Sequence, residues 1–335
     1  MKVLRLFGIH DLRMVDEPVP NPKPGEALLK VASVGICGSD SHWFSEGHIG
    51  GTSLSQPLVL GHEFTAVVMS GKLAGQRVAV EPAISCGKCE YCEQGNPNLC
   101  TSVRFAGSSP YDGSLAESIV WPEQNLFPLP DAVSNDEGAL LEPLGVAMHA
   151  LFLAHIRLGA TVGVYGCGPI GLLVIQLARL SGASRIYASD ILSNRLEVAL
   201  EMGATDVFQA DGSEREKIKT ATHGRGVDVA YEAAGEDEAV ETAVVTTKPG
   251  GRLVLVGIPK EDHTTFTASV ARRKGLTIMM CRRMKHTYPR AIDMVASGKI
   301  DLKPLVTHRY PFAEFAKAFL TAENREGIKV VLEVN

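Results

Sequence analysis

The chain has 335 residues, 45% of them hydrophobic, and a formal net charge of −5. That composition is globular and long enough for two domains of ordinary size. Its mild acidity excludes nucleic acid as the main partner, because phosphate binding needs a basic face.

The N-terminal "MKVLRLFGIHDLRMVDEP" has neither an apolar h-region nor a cleavage site. The most apolar zone, 139–165, is broken by Glu142, His149, His155 and Arg157. The reading is a cytoplasmic chain without a membrane span. Thiols stay reduced there, so clustered cysteines read as metal ligands before disulfides.

Up to about residue 140 the chain reads as short strands between Gly and Pro turn signals, such as "EALLKVASVGIC" and "GQRVAVEPA". Two segments here carry isolated donor residues: Cys37 in "VGICGSDSHW", and His62 with Glu63 in "VLGHEF". A louder signal follows in "SCGKCEYCEQGNPNLC", where Cys86, Cys89, Cys92 and Cys100 are spaced C-x2-C-x2-C-x7-C. Four thiolates on one loop can wrap a zinc ion tetrahedrally and close every position, which describes a structural site. The next segment, "SNDEGALLEPLGVAMHALFLAHI", opens with a helix-cap cluster and places Glu142 near the predicted domain junction. Cys37, His62, Glu63 and Glu142 together offer the Cys, His and carboxylate donors of a catalytic zinc with an open position.

From there apolar strands alternate with helices. The strands are "TVGVYG", "RIYASD", "DVFQA", "VDVAYEAAG", "RLVLVGI" and "LTIMM", and the helices run roughly over 169–182, 193–203, 213–223 and 236–247. The alternation predicts an α/β fold with a doubly wound parallel sheet covered on both faces. "VGVYGCGPIG" sets Gly166, Gly168 and Gly171 in G-x-G-x-x-G spacing between strand and helix, with Pro169 and Ile170 in the first helical turn. Asp190 ends the second strand, about 20 residues on, where a carboxylate accepts from the adenine ribose and repels a 2′-phosphate. NAD is therefore favoured over NADP, with Arg195 on the adenine side. Val256, Gly257 and Ile258 follow the fifth strand, and Cys281, Arg282 and Arg283 the sixth, at strand ends that border the cofactor crevice. The tail ends in a strand, "IKVVLEV", which suggests a return to the first domain. The basic zone "ARRKG" and "CRRMKHTYPR" reads as a solvated or subunit-facing surface.

The ordered motifs "GxCGSDxH", "GHE", the four-cysteine run, "EPLGVAMHA", "GCGPIG" and "KPLVTHRYPF" resemble those of zinc-dependent medium-chain alcohol dehydrogenases, over essentially the whole chain. Within that family the chain is most similar to the polyol (sorbitol) dehydrogenase branch, because Glu142 stands where ethanol-type enzymes place a zinc-binding Cys. The resemblance implies a GroES-like, mostly β catalytic domain over 1–144, completed by 284–335, and a Rossmann domain over 145–283. A cleft between them would hold the reaction. Carried over, Cys37 and His62 bind the catalytic zinc, with Glu63 and Glu142 bound directly or through water. Ser39 and His42 form a proton relay, and Trp43, Arg104, Phe105, Glu142 and Arg283 touch substrate. Met284 stands where sorbitol dehydrogenases have a Tyr, which weighs against sorbitol itself. All four structural cysteines fit a bacterial-type enzyme, and the family implies a homodimer or homotetramer. The function so implied is hydride transfer from a polyol or secondary alcohol, of sorbitol, xylitol or L-iditol type, to NAD. Alternatives are a dehydrogenase acting on threonine, butanediol or a cyclitol, or a non-catalytic NAD- and zinc-binding protein on the same scaffold.

Overall fold

The computed structural model describes residues 1–334. The chain forms two compact units, one from Met1–Glu142 and the tail from Lys285, the other from Pro143–Met284. Along the first unit run β1 (Glu26–Ile36), α1 (Gly38–Glu46), β2 (Glu63–Val68), β3 (Arg77–Val80), β4 (Ser118–Pro122) and β5 (Leu126–Pro128). Helix α2 (Leu141–Ala154) begins at its end. The second unit holds β6 (Thr161–Tyr165), α3 (Pro169–Leu180), β7 (Arg185–Asp190), α4 (Ser193–Glu201), β8 (Asp206–Gln209) and α5 (Glu214–Ala221). It continues through β9 (Val227–Glu232), α6 (Asp237–Thr246), β10 (Thr247–Leu255), α7 (Ala268–Lys274) and β11 (Thr277–Met280). The tail adds β12 (Val306–Pro311) and β13 (Lys329–Glu333) to the first unit.

In the first unit these strands form a seven-stranded sheet, ordered β5-β3-β2-β1-β13-β12, with β4 also paired to β1. The first half of β1, "EALLK", alternates buried and less buried residues, as a strand with one covered face must. Its second half, "VASVGI", is buried throughout. Leu29, Val31, Val34, Phe64, Val80 and Leu332 build the core around it.

The second unit has the order β8-β7-β6-β9-β10-β11, all parallel. This is the doubly wound pattern that reverses direction beside the first strand. Strands β6 and β9 are buried almost without interruption, as a sheet covered on both faces requires. Helix α7 is one element the sequence pattern did not separate from its surroundings. It contains "ARRK" of the basic zone, and Lys274 there is structural: its Nζ donates to the carbonyls of Val244, Val245 and Thr247 at 3.1, 2.6 and 2.7 Å, capping the end of α6. Among the described residues no helix is long and apolar enough to cross a membrane.

A charged knot joins β6, β9 and β10. Asp228 accepts from the Thr161 backbone N–H at 2.9 Å and its hydroxyl at 2.8 Å, and pairs with Arg225 (2.7 Å) and Lys248 (2.5 Å). Burial opposes its charge, but Arg225, Lys248 and Thr161 outweigh it and hold the carboxyl well below its usual range. A folded pKa below the unfolded one stabilises the fold above about pH 4, and that stabilisation is lost as pH falls toward the folded value. Asp228→Asn should therefore melt at a lower temperature than wild type at neutral pH, with the gap closing below about pH 4. A gap independent of pH would contradict this account.

Candidate metal centres and cofactor site

The register of the first sheet explains the gathering of Cys37, His62 and Glu63. Strands β1 and β2 run antiparallel with Gly35 opposite Glu63. Cys37 follows the end of β1 and His62 precedes the start of β2, so the two ends lie side by side. The donor atoms of Cys37, His62 and Glu63 lie within 4.8 Å of one another. Gly35 is required for this: a Cβ there would sit 2.3 Å from Glu63 Oε2.

Two buried charges, both missed in the sequence, brace the group. The first is Asp40, in α1. Its Oδ2 accepts the Cys37 N–H at 2.9 Å, its Oδ1 accepts the Gly61 N–H at 3.0 Å, and Oδ1 lies 3.6 Å from His62 Nδ1. One carboxylate thus ties the Cys37 loop to the His62 loop, the usual outer support of a metal-binding histidine. Burial opposes a charge on His62, yet Asp40 and Cys37 hold its imidazole well above the ordinary value.

The second is Lys329, at the start of β13. Val330 pairs with Ile36, which sets Lys329 beside the Cys37 segment. Its Nζ donates to both oxygens of Glu63 (2.8 and 2.7 Å) and to the Ile36 carbonyl (3.1 Å). Glu63 and Lys329 are 1% and 3% exposed. Burial opposes the ammonium, but Glu63, Cys37 and Asp40 keep it charged, above its ordinary range. Both Glu63 oxygens are therefore engaged by a cation that belongs to the chain.

Glu142 does not join the 4.8 Å group. It is buried in the first turn of α2. The fully buried Tyr288 places it: its hydroxyl donates to the Val80 carbonyl at 2.8 Å. Burial, then Glu142, Glu81 and Glu63, push its phenol well up. These three carboxylates thus act on one phenol, and burial raises that of Glu81 to about 7.

The remaining candidates separate. Ser39 and His42 are half-buried in α1, one turn apart, and His42 Nδ1 lies 3.3 Å from Glu46 Oε2. The Phe105 ring is 5.1 Å from that of His62, and its neighbour Arg104 is exposed. Trp43, read as a substrate contact, is 1% exposed and packs in the apolar core of the first unit. Arg283 sits at φ 54°.

The four cysteines form a second, separate group. Cys86, Cys89, Cys92 and Cys100 present sulfurs within 4.8 Å of one another, with Cys86–Cys92 at 4.0 Å and Cys89–Cys92 at 3.5 Å. Tetrahedral thiolates at zinc–sulfur distances of about 2.3 Å stand about 3.8 Å apart, so the set fits a zinc ion with no room for a fifth group. Lys285 Nζ donates to Asn96 Oδ1 at 2.6 Å, binding the other basic stretch to this loop. Cys92→Ser should cost one zinc per chain and lower the melting temperature, with turnover surviving in the folded fraction. Unchanged zinc content would contradict a closed thiolate site.

In the second unit the glycine turn has the shape a dinucleotide needs. Gly166 lies at φ 99°, and a Cβ on Gly171 would fall 1.9 Å from the Gly166 carbonyl oxygen. A Cβ on Gly168 would meet open space, with Arg195 Nη1 the one neighbour at 3.7 Å. Helix α3 starts at Pro169 with Gly168 as its cap, so unpaired N–H groups face that space. Asp190 accepts the N–H of Cys167 (2.6 Å) and of Leu192 (2.8 Å), locking the end of β7 to the turn. A carboxylate has further lone pairs for a ribose. Ile170 is half-exposed beside the turn, and Val256, Gly257 and Ile258 follow β10 as Cys281, Arg282 and Arg283 follow β11.

Comparison with known proteins gives the family. Residues 23–131 match the alcohol dehydrogenase GroES-like domain, and residues 169–297 the zinc-binding dehydrogenase domain. The chain is 36% identical to sorbitol dehydrogenase of Bacillus subtilis, over 100% of this chain and 98% of that one. It superposes with a TM-score of 0.91 and 30% identity on galactitol-1-phosphate dehydrogenase of Escherichia coli, covering 99% of this chain and 100% of that one. An alcohol dehydrogenase of Escherichia coli CFT073 solved with NADH matches equally well, with a TM-score of 0.91, 30% identity and 99% of each chain covered. Zinc and NAD are the cofactors that these donor sets fit. The chain belongs to the zinc-dependent medium-chain alcohol dehydrogenases, in their polyol dehydrogenase branch.

Proposed function

We propose that the protein oxidises an open-chain polyol or secondary alcohol, of the sorbitol, xylitol or L-iditol type, with Cys37 and His62 holding the catalytic zinc and Glu63 and Glu142 as the carboxylates beside it. The observation that carries this reading is the convergence of Cys37, His62 and Glu63 on one point in a chain whose four-thiolate group is separate. When bound, zinc acidifies a substrate hydroxyl and NAD accepts the hydride. The chain's own part is positional. Asp40 and Lys329 fix the two metal-bearing segments, so the donors need little reorganisation. Ser39 takes the hydroxyl proton and His42, one turn on, passes it outward. Phe105 packs beside His62 and offers an apolar wall, while Arg104 and Glu142 supply polar contacts to a second hydroxyl. Asp190 selects NAD by repelling a 2′-phosphate.

The same reading includes self-association as a homodimer or homotetramer. Strand β11 is an open edge of the second sheet, and its Met280 is 67% exposed. Light scattering that returns the mass of a single chain would remove this part.

NADH formation from a panel of polyols, threonine, 2,3-butanediol and cyclitols tests the substrate class. Polyols should be turned over at least about tenfold faster in kcat/KM than the others, with sorbitol not the best of them. Preference for threonine or butanediol would replace the reading. NAD binding without turnover of any alcohol would favour a non-catalytic scaffold.

A further inference from the structure

The cofactor unit holds a carboxylate that none of the steps above employs. Glu232 ends β9 and is 1% exposed. Its Oε1 accepts two successive backbone N–H groups, from Ala234 at 2.7 Å and Gly235 at 2.6 Å. Its own carbonyl accepts the N–H groups of Val256 (2.8 Å) and Gly257 (3.2 Å). Burial raises its pKa, and the amides around it hold that rise in check. Consecutive N–H groups aimed at one point form an anion nest, the device that elsewhere takes a phosphate. Here the chain fills the nest with its own side chain.

What the nest sits between gives it a role. A Cβ on Gly166, in the dinucleotide turn, would fall 2.7 Å from the Ala234 nitrogen. On the other side, a Cβ on Gly257 would fall 2.2 Å from the Gly235 nitrogen and 2.8 Å from Glu232 Oε2. A Cβ on Gly235 would fall 2.5 Å from the Ile258 carbonyl oxygen. The Ala233 N–H also donates to the Tyr165 carbonyl at 2.8 Å, at the end of β6. The segment 233–235 is therefore wedged, without slack, between the glycine turn and the loop 256–258. All three follow the C-terminal ends of neighbouring strands, where an open α/β sheet binds its dinucleotide.

We propose that Glu232 is a positioning residue for NAD: its carboxylate locks segment 233–235, and through that segment sets the Gly166 turn and the 256–258 loop against which the cofactor lies. The residue touches no cofactor atom itself. It acts by preorganisation, holding in the free protein the loop arrangement that binding requires. A neutral amide in its place keeps the shape but is a weaker acceptor than a carboxylate for two N–H groups at once. An aspartate keeps the charge and reaches the amide two residues on, as in an Asx turn, but is one methylene too short to hold both.

The test uses the zinc-loaded full chain and NADH as the probe, with affinity read by fluorescence titration and KM read separately for NAD and for the best polyol. Glu232→Gln should raise the NADH Kd and the NAD KM about tenfold, the effect of weakening a charge-assisted hydrogen-bond pair. Polyol KM and zinc content should stay as in wild type. Glu232→Asp should fall between the two, about threefold above wild type. Wild-type NADH affinity in either variant overturns the proposal. So does a loss shared equally by polyol KM and zinc content, which would mark general damage to the fold. Should Glu232→Gln fail to fold, Glu232→Asp decides alone on the same two readouts. The inference rests on the cofactor reading, for which wild type is the control. Failure of wild type to bind NADH defeats that reading, whereas equal binding by wild type and variants defeats only the role of Glu232.

Discussion

Cys37→Ser is expected to abolish turnover, by about a thousandfold or more, in a protein that stays folded and still binds NADH. The size follows from the chemistry: a Lewis acid at the substrate oxygen contributes several kcal/mol, and about 4 kcal/mol is a thousandfold. The separation of effects follows from location. Cys37 lies just past the end of β1, and the core residues around that strand do not depend on its thiol. The glycine turn and Asp190 belong to the other unit. Metal analysis of the purified variant should return one zinc per chain, held by the four-cysteine group. Turnover within tenfold of wild type in a metal-analysed sample would overturn the assignment of the catalytic metal. Loss of NADH binding would show that the two sites are not separable in the way the sheet topology suggests.

Lys329→Met should cost more stability than any other single change in the site. It removes the cation from a buried pair and leaves Glu63 buried without the ammonium that both its oxygens accept from. Breaking such a pair costs about 3–5 kcal/mol, which lowers the melting temperature of a domain this size by about 10 °C. Turnover should fall about tenfold to a hundredfold even in protein that remains folded, because the Cys37 and Glu63 segments lose their common tether. Two controls separate charge from packing. Lys329→Arg should retain most of the stability, and Lys329→Met combined with Glu63→Leu should recover much of the lost stability, though not turnover, since replacing a buried pair by apolar groups is often neutral. A single variant that melts and turns over as wild type does would show that the pair carries no weight.

Much of this was legible in the chain because it is local. The glycine turn needs Gly166, Gly168 and Gly171 at fixed spacing, and the structure adds only the contacts around them. The four cysteines lie within one loop, so their closure on a metal follows from their spacing. Strand and helix alternation announced the parallel sheet, since strands covered on both faces have little choice of residue. Helix α7 escaped notice because its seven residues are too few to show a helical period.

Other features were out of reach of local pattern. Trp43 follows His42, and nothing in "SHWF" says which way its ring points; the structure places it in the apolar core. Asp40 was in view within the motif "GSD", and its position three residues after Cys37 is a capping signal that could have flagged it. Lys329 had no such signal. Its partner Glu63 lies 266 residues away in the chain, and a lysine at the head of a short terminal strand looks like any solvated end.

The sequence by itself thus determined the family, the two cofactors and the donor residue types, because those depend on short motifs whose chemistry is set by spacing. Tertiary structure alone decided how Cys37, His62 and Glu63 are brought together and held. That outcome depends on sheet register: Gly35 opposite Glu63 and Ile36 opposite Val330 set Cys37, His62 and Lys329 side by side. A slip of one residue in either pairing would turn those side chains to the other face.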